Sequence, residues 1–175
     1  SSADFEFAFG STMAALAPVP GGIVSNIPDV TAIAYLNTIP YNAVPLDAAT
    51  ADLLNGGFAA YNGGLAAAQA FGLISAEEVT NRTITFVEGL NAVTMEDEYL
   101  TNLSSLGLPS WRQATMNDKI VLPAIGLIGT TVDGNPTQIN GVSVPLADGI
   151  VLSYDEIAET QARTVQFNAT IETIT

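Results

Sequence analysis

The sequence contains no cysteine and no histidine among its 175 residues. The absence of cysteine excludes a disulfide, a thiol nucleophile and a thiolate metal site. The absence of histidine excludes an imidazole zinc site and a Ser-His dyad within the chain. We therefore predict no catalytic residue of these types, no metal site and no cofactor.

Basic side chains are scarce, because Arg82, Arg112, Lys119 and Arg163 stand against 18 acidic residues and leave a formal charge of −14. Nucleic acid is excluded as a partner, since its binding depends largely on neutralising phosphates. Anionic membrane surfaces are disfavoured for the same reason. The acidity fits a solubilising surface on an exported or salt-adapted protein. The alternative is cation binding by clustered carboxylates.

Long apolar runs are also missing. None approaches the roughly 20 residues that a transmembrane segment requires, and no basic-then-apolar leader opens the chain. Hydrophobic residues nevertheless make up 48% of the sequence and charged residues 13%. This composition supports a packed core in a single domain over 1–175, or in an incomplete domain.

Both ends of the chain are predicted to be helical. The alternation of Phe5, Phe7 and Phe9 is typical of a strand, but the following "STMAALA" favours a helix that ends before Pro18. A capping box of Ser153 and Glu156 predicts a helix over 151–175, against a strand-like alternation at 165–171. The chain ends inside this helix without a glycine or asparagine cap, which indicates a cut chain.

The stretch "GGIVSNIPDV" at 21–30 predicts a buried strand that begins at Ile23–Val24 and ends in a polar turn. Asn26 and Asp29 would then lie at the carboxyl end of the strand, where ligands bind in open α/β sheets. The alternative is that both side chains cap a loop whose geometry is fixed by Pro28.

Residues 31–46 are predicted to be irregular, because two prolines argue against a central strand. Asp47 predicts the start of an alanine-rich helix, in which Gly-Gly pairs at 56–57 and 63–64 mark kinks or a close contact. Ser75 and Glu78 form another capping box, before a short helix.

Farther along, "TITFV" (83–87) and "NAVTM" (91–95) predict a hairpin, and "GVSVPL" (141–146) predicts a short strand. Residues 132–136 predict a turn. The acidic run 96–98 either begins a solvated helical turn or binds a hard cation, and we prefer the solvated turn.

Ser11 follows "FG", as a serine nucleophile after a strand would. With no histidine, the base would have to be Lys119, the single lysine, and nothing in the sequence places it near Ser11. We assign no catalytic role to either residue.

Four longer phrases resemble, in this order, the middle of large bacterial surface lipoproteins of the SGNH (GDSL-type) hydrolase family. They are "GGIVSNIPDVTAIAYLNTIPYNAVPLD", "FVEGLNAVTMEDEYLTNL", "GLPSWRQATMNDKIVLPA" and "GVSVPLADGIVLSYDEI". The resemblance spans roughly residues 5–175. It implies an α/β chain that forms part of a three-layer α/β/α, flavodoxin-like fold with a parallel sheet.

Within that fold the resemblance implies a helix plus a core strand at 1–30. A long irregular insertion with short strands would occupy 31–150, and a C-terminal helix 151–175. It also implies export to the cell surface, the periplasm or the medium. The substrate of the full-length protein would be a lipid, carbohydrate or other small ester.

The family uses a serine in Gly-Asp-Ser, an asparagine in Gly-x-Asn-Asp and a base in Asp-x-x-His. This chain contains none of the three motifs, so no catalytic role is transferred to any position. We expect a segment of an ester hydrolase that is inactive by itself, with Asn26 and Asp29 at the rim of the pocket.

Two other functions remain open. A non-enzymatic surface or filament-type subunit would assemble by strand exchange through Phe5–Phe9 and Val165–Ile171, and it would self-associate. A sugar-binding module has Trp111 and the tyrosines in its favour.

Overall fold

The computed structural model describes residues 1–175, and its contacts divide the chain into two units. Unit 1 comprises residues 1–33 and 155–175, and unit 2 comprises residues 34–154. The helices are α1 (Ser2–Leu16), α2 (Ala34–Asn37), α3 (Ala48–Ala70), α4 (Ala76–Arg82) and α5 (Tyr154–Ile174). The strands are β1 (Val44–Leu46), β2 (Gly89–Asn91), β3 (Thr94–Glu96), β4 (Trp111–Gln113), β5 (Lys119–Ile120), β6 (Thr131–Val132), β7 (Asn135–Ile139) and β8 (Val151–Leu152).

Unit 1 consists of α1, turns at 17–20, an extended segment at 21–29, the 3-10 turn Val30–Ala32 and nearly all of α5. The two helices run in the same direction, since Phe5 stacks on Phe167 with ring centroids 4.4 Å apart and Gly10 lies beside Ile174. The extended segment returns along α5 in the opposite direction. Asn168 holds it by accepting from the backbone N–H of Ile27 at 2.7 Å and donating to its carbonyl at 3.0 Å.

The predicted strand at 21–30 is wrong. Residues 18–29 form no strand, and Ile23 is 99% exposed. Pro28 has no N–H to donate to a ladder, and the Asn168 amide takes the place of a neighbouring strand for Ile27. The predicted helices at both ends are confirmed, so the strand interpretations of 5–9 and 165–171 are wrong.

Unit 2 is organised around α3. Asp47 caps this helix by accepting from the N–H of Thr50 at 2.7 Å, as predicted. The buried side of α3 has the spacing of one helical face, and its members are Ala51, Phe58, Tyr61, Leu65 and Ala68. This face packs into a core with side chains from the later loops and strands, among them Ile84, Phe86, Val93, Met95, Ile120 and Leu146.

The strands of unit 2 form four two-stranded sheets, and each sheet is antiparallel: β1–β2, β3–β4, β5–β8 and β6–β7. The chain is therefore a mixed α/β protein, as predicted, with small antiparallel sheets. None of these sheets is parallel, whereas the resemblance implies a parallel sheet within three layers. That arrangement stays a prediction.

The predicted hairpin of 83–87 with 91–95 is wrong, because β2 pairs with β1 and β3 pairs with β4. Residues 83–87 are extended, yet two amide side chains of α3 replace the partner strand. Asn62 accepts from Ile84 N at 3.1 Å and donates to Ile84 O at 2.8 Å. Asn55 does the same for Phe86 at 2.8 and 2.9 Å.

Of the remaining local predictions, two are confirmed and one is wrong. The cap of α4 is confirmed, with Ser75 accepting from Glu78 N at 3.0 Å. The turn at 132–136 is confirmed as the tight connection of β6 to β7, with positive φ at Asp133 and Gly134. The strand predicted at 141–146 is wrong, since this segment is mainly turns that bond to Thr94 and Glu96 of β3.

Candidate functional site

Arg112 on β4 is a fully buried charged group of unit 2, with a side chain that is 0% exposed. Its Nε donates to Asp97 at 2.6 Å, and its two Nη atoms donate to Asp118 at 2.7 and 2.8 Å. The β3–β4 ladder places Arg112 opposite Met95, two residues before Asp97. Thr115 closes the arrangement by donating its N–H and hydroxyl to Asp118 at 2.6 and 2.9 Å.

Arg112, Asp97 and Asp118 form an ion cluster, and its surroundings keep Arg112 and Asp118 charged. Burial by itself raises the pKa of Asp118, but hydrogen bonds from Arg112 and Thr115 outweigh it and leave that pKa below its usual range. Burial lowers the pKa of Arg112, and its bonds to Asp118 and Asp97 outweigh that effect and raise it.

The cluster also holds Tyr154, the last residue of unit 2. The N–H of Tyr154 donates to Asp118 at 2.9 Å, and the ring of Tyr154 lies 5.1 Å from the guanidinium carbon of Arg112. Both carboxylates are thus engaged by protein groups and closed to solvent. We interpret the cluster as structural.

Asp97 corrects the prediction for the acidic run 96–98. Glu96 and Glu98 are exposed, but Asp97 is 2% exposed and paired with Arg112. Its carboxylate therefore does not belong to a solvated turn. No group of three or more acidic side chains in the structure is placed to hold a metal ion.

A second buried arginine, Arg82, ends α4. It donates to the carbonyls of Thr101 at 2.9 Å and Pro109 at 2.7 Å, to Glu78 at 3.2 Å and to the hydroxyl of Tyr61 at 3.3 Å. Arg82 thus ties the loop 97–110 to α3 and α4, and Arg112 ties Asp97 to Asp118.

Beside these loops lies an apolar groove with a volume of about 750 Å³. Its floor is a line of small residues on α3, namely Ala60, Gly64 and Ala67. At Gly64 a Cβ would lie 2.5 Å from a methyl carbon of Leu108, so a larger residue there would force Leu108 to shift. The other lining residues are Tyr61, Ala68, Phe71, Leu73, Leu106, Gly107, Leu108, Pro109 and Trp111.

A second depression, the polar cavity, has a volume of about 630 Å³ and lies wholly within unit 2. It is lined by Ser75, Glu77, Glu78, Thr80, Asn81, Tyr99, Leu100, Thr115, Asn117 and Tyr154. The apolar groove and the polar cavity share no lining residue. Because apolar residues line the groove and mostly polar residues line the cavity, the two sites suit different ligands.

The predicted rim residues Asn26 and Asp29 lie in unit 1 and line neither of these sites. Asn26 donates to Glu172 of α5 at 3.1 Å. Asp29 caps the 3-10 turn Val30–Ala32, accepting from the N–H and hydroxyl of Thr31 at 2.9 and 2.6 Å. Both side chains fasten the extended segment, and their role at a pocket rim stays a prediction.

The other sequence candidates have no catalytic partner in the structure. Ser11 is exposed on α1 and makes no side-chain hydrogen bond. The amine of Lys119 donates to Asn37. Neither residue has the neighbouring base that an activated nucleophile requires.

Comparison of the chain with protein-family models, with curated proteins and with solved structures gives no match. None of the helices combines the length and the apolar character that a membrane span requires.

Proposed function

We propose that this chain is part of an exported SGNH/GDSL-type ester hydrolase, in which unit 2 is the insertion that binds the acyl or alkyl group of the substrate. The observation that carries the proposal is the apolar groove, in a chain that has no histidine to activate a serine. Binding would reside in these residues, and the chemistry would reside in the Gly-Asp-Ser and Asp-x-x-His motifs of the family.

The chemistry of the groove supports an alkyl ligand. Its volume of about 750 Å³ is that of a small-molecule pocket. No charged side chain lines it, and its rim exposes Phe71 at 81% and Leu106 at 53%. Each methylene removed from water there would contribute about 0.8 kcal/mol.

Unit 1 supports the proposed three-layer fold. α1 is rich in apolar residues but buries none of them, and it leaves Phe7 78% and Leu16 51% exposed. A helix with such a surface normally packs against another layer of structure. We propose that α1 and α5 form one helical layer against a parallel sheet of the complete domain.

A dye-displacement experiment tests the groove. The 175-residue chain should bind Nile red, and methyl octanoate should displace the dye. Ala67→Trp, which fills the floor, should weaken methyl octanoate binding by about tenfold, ~1.4 kcal/mol. Ala66→Trp is the matched control, because Ala66 is an exposed neighbour on α3 outside the groove. Equal affinities of the two variants would refute the groove.

An activity measurement tests the hydrolase. The 175-residue chain should not turn over p-nitrophenyl octanoate above the buffer rate, and Ser11→Ala should change nothing. The gene should encode Gly-Asp-Ser before this segment and Asp-x-x-His after it, and the longer polypeptide should lose turnover when that serine is replaced. Turnover by the 175 residues, or a gene without these motifs, would contradict the proposal.

The exposed apolar residues of unit 1 favour one other candidate, a non-enzymatic assembly subunit. Phe7 on α1 and Val165 on α5 are 78% and 69% exposed. Both segments that strand exchange would use are helical, so such an assembly would have to pack helices. Light scattering after size-exclusion chromatography tests this candidate, and a strict monomer at micromolar concentration counts against it.

A further inference from the structure

The polar cavity of unit 2 is lined by groups that bind hydroxyls. The side chains of Glu77, Asn81 and Asn117 line it and make no hydrogen bond within the chain. Glu77 and Asn81 are four residues apart on α4, so they project from one face of that helix. One carboxylate and two amides supply both acceptors and donors.

The hydroxyls of the cavity have capacity left as well. Ser75 accepts from Glu78 N and keeps its own proton to donate. Thr80 donates to Ala76 O, and Thr115 donates to Asp118 while it accepts from Asn117 N, so each hydroxyl keeps a lone pair to accept. A ligand with several hydroxyl groups would find a partner for donors and acceptors alike.

The charge of the cavity excludes anions. Its only charged lining residues are Glu77 and Glu78, and no lysine or arginine lines it. Glu78 is already used by Arg82 and by the N–H and hydroxyl of Thr101. A phosphate or carboxylate ligand would meet uncompensated negative charge, whereas a neutral polyol would not.

Two aromatic rings complete the lining. Tyr99 and Tyr154 keep 47% and 38% of their surface exposed. Tyr154 is held in place by its bond to Asp118 and by the contact of its ring with Arg112. Rings that are fixed before binding offer flat apolar surface at little entropic cost. The C–H face of a pyranose is the complementary shape.

We propose that the polar cavity binds a neutral sugar, with Tyr99 and Tyr154 against its C–H face and Glu77, Asn81 and Asn117 on its hydroxyls. The volume of about 630 Å³ accommodates one or two sugar rings. The proposal stands independently of the hydrolase assignment, because it uses only residues of unit 2 and involves no reaction.

Saturation-transfer difference NMR of the 175-residue chain tests this site with four probes measured one at a time: glucose, galactose, mannose and N-acetylglucosamine. The difference signal of at least one sugar should reach a plateau as its concentration rises, with a dissociation constant on the order of 1 mM. Glucose 6-phosphate should bind at least about tenfold more weakly than glucose. Choline, a cation that would also favour tyrosines and a glutamate, should not bind.

Matched variants locate the binding. Tyr99→Ala should weaken it by about tenfold, whereas Tyr35→Ala, also in unit 2 and equally exposed at 46%, should leave it unchanged. Glu77→Gln and Asn81→Ala provide a second test that does not disturb an aromatic contact. Each should lower affinity while the thermal unfolding midpoint stays within a few degrees of the parent.

Three results would overturn the proposal. The first is that the difference signal of none of the four sugars reaches a plateau at tens of millimolar. The second is that glucose 6-phosphate or choline binds as well as the best sugar. The third is that Glu77→Gln and Asn81→Ala bind like the parent. If Ala67→Trp weakens the displacement of Nile red by methyl octanoate but leaves sugar binding intact, the polar cavity and the apolar groove are independent sites.

Discussion

Arg112 meets Asp118 in two parallel hydrogen bonds, from Nη1 to Oδ2 at 2.7 Å and from Nη2 to Oδ1 at 2.8 Å, and neither side chain is exposed to solvent. The fork of a guanidinium matches a carboxylate in this way, whereas a lysine would offer a single ammonium. Asp97 on the third nitrogen completes the pairing. Arg112 thus supplies three buried donors to two carboxylates, an arrangement that a lysine could not reproduce.

We expect Arg112→Met to lower the free energy of unfolding by about 3–5 kcal/mol, because it leaves two buried carboxylates without their cation. Arg163→Met is the control, since Arg163 is half exposed and lies 3.9 Å from Glu159. It should cost about 0–1 kcal/mol. Urea denaturation measures both. Similar losses in the two variants would show that the buried cluster contributes no more than a surface pair.

The stability should depend on pH through Asp118. Hydrogen bonds and charge outweigh burial and lower its folded pKa, so its contribution is complete above the unfolded pKa of about 3.9. It is lost as the pH falls through the lower folded pKa. The gap in unfolding midpoint between the parent and Asp118→Asn should therefore be constant from pH 7 to pH 5. The gap should narrow below about pH 4. A gap that stays constant down to pH 2 would contradict this assignment.

The two glycines at 63–64 should respond differently to alanine. Nothing lies within 4 Å of a Cβ built on Gly63, so Gly63→Ala should stabilise α3 by about 0.5–1 kcal/mol. At Gly64 the new methyl would lie 2.5 Å from the buried Leu108, and this clash should cancel or reverse the gain. Thermal unfolding compares the pair. An equal gain at both positions would show that Leu108 moves freely.

Asn62 should be essential to the segment 83–87. Asn62→Leu removes the partner of both Ile84 N and Ile84 O, and we expect a loss of about 1–3 kcal/mol in the free energy of unfolding. Gln69→Leu, at an exposed position on the same helix, should stay within about 0.5 kcal/mol of the parent. If the two substitutions cost the same, solvent must satisfy the Ile84 backbone.

Local signals in the sequence predicted the helix boundaries well. Asp47 and Ser75 cap their helices because a side-chain oxygen that accepts a first-turn N–H is a local interaction, and Pro18 lies two residues beyond the end of α1 for an equally local reason. The helix at 154–174 also followed from its start. These features depend on neighbours within four residues of each other.

Strand pairing was predicted poorly, because its cause is not local. Ile84 and Phe86 alternate like a half-buried strand, and both are buried. The partner of their backbone is a pair of asparagine amides on α3, more than 20 residues earlier. Nothing in the pattern at 83–87 distinguishes such a partner from a second strand.

The ion cluster was missed for a related reason. Asp97 sits in an acidic run that looks like exposed surface, and Arg112 lies 15 residues away. Their pairing is visible only after β3 and β4 align. The scarcity of basic residues was the one available hint, since each of four cations among 18 acidic residues has many potential ion-pair partners. Likewise, the small-residue floor of the apolar groove reads in sequence as an ordinary alanine-rich helix.

Trypsin has only four residues in this sequence at which to cleave, and folding hides the side chains of Arg82 and Arg112 completely. Cleavage after either arginine requires the core of unit 2 to open, so its rate in dilute protease reports the free energy of that opening. The one lysine gives amine-reactive labels a similarly narrow choice. Arg163 is half exposed, so its cleavage does not require unit 2 to open, and the digestion pattern separates cleavage at the surface from opening of this core.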